Sequence, residues 1–159
     1  GIHRRTHAHA LDRWEKHHMT SITASSSAER SRLGPWIAGL LAIAFGLATL
    51  FEGGHVLFGG PAARAAAGNV VPFVLGFNFA AGFVYLLAGG AILARRTWAV
   101  RVAVALAATS LLVFAGLGVH ILQGGAYEVR TVVAMTLRSG FWAAQALMLP
   151  RLLGGGRHV

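Results

Sequence analysis

The sequence predicts an all-α integral membrane protein, a four-helix bundle with four transmembrane spans and short loops, and three observations carry that reading. Of the 159 residues, 55% are hydrophobic and only 12% charged, and the mean hydropathy of +0.61 is far too high for a water-soluble domain of this size. Four apolar stretches each reach the roughly 20 residues that a helix needs to cross about 30 Å of hydrocarbon. The basic residues fall almost entirely between and outside those stretches, so the formal net charge of +9 reads as a topology signal and not as a nucleic-acid footprint. No nucleic-acid partner is expected.

Residues 1–34 come first and are a different material, rich in His, Arg and Ser and without the periodicity that builds a core. They are expected to form a disordered basic tail. Met19 offers a second start, so residues 1–18 are open to reading as non-native. The five histidines His3, His7, His9, His17 and His18 could hold metal ions only weakly from such a tail.

The first span is expected over 35–58, where Pro35 suits the first turn of a helix. Ala63-Arg64-Ala65-Ala66-Ala67 loosely resembles a signal-peptide cleavage site, but the long basic stretch before the apolar run and an acid within it favour a retained helix. Gly59-Gly60-Pro61 and the small residues to Asn69 form a connection. The second span is expected over 70–94, with Pro72 tolerated in its first turn. The third covers 98–122 and is closed by Gly124-Gly125. The fourth covers 131–153, with Pro150 expected to bend or end it, and a short tail occupies 154–159.

Eleven Lys and Arg residues lie on one side of the four spans, namely Arg4, Arg5, Arg13, Lys16, Arg30, Arg32, Arg95, Arg96, Arg101, Arg151 and Arg157. Only Arg64 and Arg130 lie in the opposite connections. The rule that cytoplasmic loops are enriched in these residues puts both termini in the cytoplasm and the protein in a bacterial-type inner membrane.

With that orientation, a rise of 1.5 Å per residue carries His55 and His120 about 30 Å across, to the outer interface. Glu52, the one carboxylate inside an apolar run, lies a turn deeper than His55 on a neighbouring part of the same face. Asn78 and Arg138 enter from outside and fall roughly 10–12 Å below that surface. Thr131, Met135, Arg138, Trp142 and Gln145 are spaced four, three, four and three, which aligns them on one stripe aimed at partners. Asn78, Gly82, Tyr85 and Gly89 form the matching face of span two. Thr109, Gly116 and His120 do so on span three, and Tyr127, Glu128 and Arg130 add polar groups from the last loop.

Membrane-buried charges are expensive and usually pair, so Glu52 with Arg138 is expected to form an ion pair between spans one and four. A sharper use for Glu52 is as a protonatable coupling residue. His55 and His120 satisfy the minimum for two axial ligands of haem b. Glu52, His55 and His120 resemble the ligand set of a zinc or non-haem iron site, and Met135 could add a soft ligand for copper. A carboxylate-bridged two-metal centre would need more glutamates than the chain supplies. Zero cysteines excludes disulfide relays, thiolate metal sites and cysteine nucleophiles. No glycine-rich phosphate loop or Ser-His-Asp arrangement is present, so no catalytic residues are assigned.

The function that follows is a non-enzymatic subunit or accessory factor with a polar structural or small-ligand cluster in the outer leaflet. Its partners would be the lipid bilayer and a homo-oligomer or larger membrane complex. Two alternatives stand beside it: a membrane redox or metal-handling protein holding haem, a metal or a quinone, and a small oligomeric transporter coupled through Glu52.

Overall fold

The computed structural model describes residues 33–154. The tail readings, including the choice between Gly1 and Met19 and the five tail histidines, lie outside the described residues.

Four long helices, each apolar enough over its length to cross a membrane, make an all-α protein: α1 (Leu33–Phe58), α3 (Pro72–Leu93), α4 (Trp98–Leu122) and α5 (Val129–Gly154). A short helix, α2 (Gly60–Ala67), stands between the first two. The four form an up-and-down bundle. α3 packs on α4 and α4 on α5, while α1 closes the ring through contacts with α3 on one flank and α5 on the other. The core is built from small and aromatic side chains, with Ala42, Tyr85, Ala88, Ala99, Ala103 and Trp142 removed from solvent. Large apolar residues such as Phe51, Leu112 and Leu147 point outwards and stay exposed. Such a surface is incompatible with water and suited to lipid tails.

The α1–α3 contact shows why so many glycines are needed. Gly39 and Gly46, seven residues apart, face Gly89 and Gly82, also seven apart, so the helices run antiparallel in register. A methyl added at Gly89 would sit 2.9 Å from the Gly39 carbonyl oxygen, and one at Gly46 would sit 3.1 Å from that of Gly82. Backbone meets backbone there, which leaves no room for a β-carbon.

Three local expectations are corrected. The connection after α1 is not merely a turn: Pro61 at the start and a run of alanines form α2, as first-turn proline and high helix propensity favour. Of the two outcomes expected of Pro150, a bend or an end, the end is excluded, since α5 continues to Gly154; a proline removes one intrahelical donor, and packing against neighbours tolerates that. Thr109 faces outwards, its Oγ1 donating to the Ala105 carbonyl at 2.8 Å, and the neighbouring Ser110 is the buried one. A hydroxyl bonded back to its own helix can face lipid at little cost.

At one end of the bundle, the α4–α5 loop clamps the α2 region. Glu128 Oε1 accepts from the Asn69 backbone N–H at 2.8 Å and from Asn69 Nδ2 at 3.1 Å. Arg130 Nη2 donates to the carbonyls of Ala66, at 3.0 Å, and Ala67. Gly68, at φ +70°, lets the chain turn directly beneath the Glu128 carboxylate. The opposite end carries the tight turn at 94–97.

Candidate functional site

The site is a cleft of about 370 Å³ at the clamped end, walled by α1, α3 and α5 and closed above by the segment 67–71. That size falls within the range of roughly 300–1,000 Å³ usual for small-molecule sites. Most of the wall is apolar, with Val56, Val70, Val74, Leu75, Ala134 and Leu137. The polar groups are few: Thr49, Glu52, Asn78, Arg130, Thr131 and Arg138.

Arg138 is the centre of it. The residue is only 5% exposed. Its Nη2 donates to Thr49 Oγ1 at 3.1 Å, and its Nη1 meets the Met135 sulfur at 3.8 Å, a weak acceptor. The guanidinium carbon lies 5.7 Å from the Phe45 ring centroid and 5.8 Å from that of Tyr85, two rings stacked within 3° of parallel. Ring faces attract a cation, by about 2 kcal/mol when desolvated. Behind them Trp142 packs on Tyr85 at 4.8 Å and Phe141 on Phe45 at 5.0 Å. Arg138 Nε has no hydrogen-bond partner among the described residues.

The expected ion pair with Glu52 is not formed. Thr49, one turn earlier on α1, stands level with Arg138 and takes its hydrogen bond. Glu52 lines the same cleft but is exposed, and it makes no hydrogen bond or ion pair among the described residues. Depth counted from span ends is good to about one helical turn, and here one turn separates a pair from a neighbour.

The remaining site residues divide into groups. Asn78 lines the cleft with a buried Oδ1 that has no hydrogen-bond partner among the described residues. Tyr85 and Met135 are fully buried against Arg138. Glu128 and Arg130 form the clamp above, and Arg130 also lines the cleft. Tyr127, 39% exposed, stays at the surface of that loop. His55 and His120 stand apart and neither lines the cleft. His120 Nε2 lies 3.1 Å from the Ala126 carbonyl oxygen, with Phe73 edge-on at 6.4 Å. Glu52, His55 and His120 are not brought together as a ligand set, and no group of three such side chains able to hold a metal occurs among the described residues. Helices α1 and α4 occupy opposite corners of the ring, which is what keeps the two histidines from sharing a face.

Two residues escape a sequence reading aimed at charge. Thr49 and Phe45 lie three and seven residues before Glu52, on the same stripe of α1, and that spacing is the signal that would find them. Gln145, on the α5 stripe, reaches across to α1 lower down, its Nε2 donating to the Ala38 carbonyl at 3.0 Å.

Comparison of this chain with protein-family models, with characterised proteins and with solved structures finds no match.

Proposed function

We propose that this protein is a non-enzymatic subunit or accessory factor of the bacterial-type inner membrane whose cleft between α1, α3 and α5 binds a small amphipathic ligand. The observation that carries this reading is Arg138: a cation set in the wall of an apolar cleft, with no carboxylate paired to it among the described residues. A buried charge used only for structure is normally paired, and an intramembrane cation without an acid is a mark of ligand contact. The apolar walls supply the other half of an amphipathic site.

The test is to fill the cleft. Wild-type protein purified in mild detergent should carry a small molecule at constant stoichiometry, read by native mass spectrometry. Ala134→Trp, placed in the cleft wall, should lose that molecule while keeping its helical circular dichroism. Equal retention by the variant would overturn the reading.

A second reading rests on Glu52, an acid in the same cleft that makes no hydrogen bond or ion pair among the described residues. A transporter coupled through Glu52 would lose flux in proteoliposomes on Glu52→Gln, and unchanged flux would remove that role.

A further inference from the structure

We infer that the cleft takes the phosphate-and-ammonium headgroup of a zwitterionic lipid, with the phosphate toward Arg138 and the ammonium toward Glu52. This rests on the cleft reading above and specifies its ligand. Three observations lead to it.

Arg138 presents unused donors. Its Nε is buried and has no hydrogen-bond partner among the described residues, and its Nη1 meets only a thioether sulfur, while a guanidinium is shaped to grip an oxyanion with two parallel N–H groups once one reaches it. Arg130 lines the same cleft and adds positive potential, although its Nη2 is held by the Ala66 and Ala67 carbonyls.

Glu52 adds the opposite charge at a fixed offset. It follows Thr49, the hydrogen-bond partner of Arg138, by three residues on α1, which puts their β-carbons roughly 5–6 Å apart. Glu52 on α1 and Arg138 on α5 thus line the same cleft without neutralising each other. A ligand that is only anionic meets repulsion from Glu52, and one that is only cationic meets it from Arg138. A headgroup carrying both charges satisfies both.

The surroundings favour a lipid over a soluble zwitterion. The cleft is closed above but only partly enclosed, its walls are mainly aliphatic, and Leu137 on its lining is 64% exposed on the outer surface of α5. A headgroup can enter there while its acyl chains stay in the bilayer.

The experiment uses the full chain in nanodiscs with equal amounts of phosphatidylethanolamine, which carries both charges, and phosphatidylglycerol, which is only anionic. Retained lipid is counted by native mass spectrometry after release. Wild type should retain phosphatidylethanolamine about tenfold over phosphatidylglycerol, a preference worth about 1.4 kcal/mol. Glu52→Gln should bring the ratio to about one by losing phosphatidylethanolamine, and Ala134→Trp should lose both lipids, each variant keeping its circular dichroism and melting temperature as a check on folding. If wild type retains both lipids equally and Ala134→Trp loses them, the cleft reading stands and the zwitterion is overturned. If lipid retention is indifferent to Ala134→Trp, the cleft reading itself fails. Free phosphoethanolamine that displaces the lipid at equimolar concentration would overturn the lipid as the source of the headgroup.

Discussion

Helix α1 is held on its two flanks by opposite means. Against α3 it offers absence of side chain, with Gly39 and Gly46 meeting Gly89 and Gly82 so closely that carbonyl oxygens lie 2.9–3.4 Å from where β-carbons would go. Against α5 it offers polar and aromatic reach, with Thr49 accepting from Arg138, the Ala38 carbonyl accepting from Gln145, and Phe45 against Phe141. In lipid there is no hydrophobic drive to bring helices together, so close packing and interhelical hydrogen bonds are the means available. This protein separates them by flank. The close-packed flank leaves no space for a ligand, and the polar flank, held apart by larger side chains, opens into the cleft.

The largest expected effect tests the dry flank. Gly89→Leu should destabilise by about 3 kcal/mol, at the upper end for overpacking, because its β-carbon meets backbone that cannot move aside. Gly90→Leu is the control, since nothing lies within 4 Å of a β-carbon there. Unfolding in a denaturing detergent titration should separate the two, and equal behaviour would mean that the glycine register is wrong.

Next comes the clamp over the cleft. Glu128→Ala removes both bonds to Asn69 and should cost about 1–2 kcal/mol, as for hydrogen bonds to a charged group at a partly exposed site. Faster amide exchange confined to 60–70 would show that the loss is local; exchange spread evenly over the bundle would place the clamp's role elsewhere.

On the polar flank, Gln145→Leu should cost about 0.6 kcal/mol, the average for an interhelical hydrogen bond in a membrane protein. Arg138→Met should change stability least, by less than about 0.5 kcal/mol. Relief of an uncompensated buried charge offsets the lost ring contacts and the Thr49 bond. A melting temperature far below wild type would make Arg138 a structural strut and weaken its place in the cleft. Little change in stability together with loss of the bound ligand would sharpen the contrast between flanks.

Much of this was legible before any coordinates. Met135, Arg138, Trp142 and Gln145 share a stripe by spacing alone, and all four are buried. Asn78, Gly82 and Tyr85 likewise turn away from lipid. The sequence does not reveal that Thr109 faces outwards, because a hydroxyl bonded to its own helix looks the same in sequence as one reaching a partner. Sequence reasoning pairs Glu52 with Arg138 because they carry opposite charges, while the register that chooses between Glu52 and Thr49 is a property of two helices together. The clamp was illegible for a related reason: Asn69 and Glu128 are 59 residues apart, and nothing local in either segment names the other.

The sequence by itself determined the four spans and the faces that spans two and four bury, because hydrocarbon thickness fixes helix length and the 3.6-residue period fixes the face. Tertiary structure alone decided which glycine meets which, that Arg138 rests on Phe45, Tyr85 and Thr49, and that Glu52 lines the same cleft without an ion pair among the described residues. One residue of slip rotates a helix by about 100° and shifts it 1.5 Å, too little to alter a hydropathy pattern and enough to exchange every contact partner.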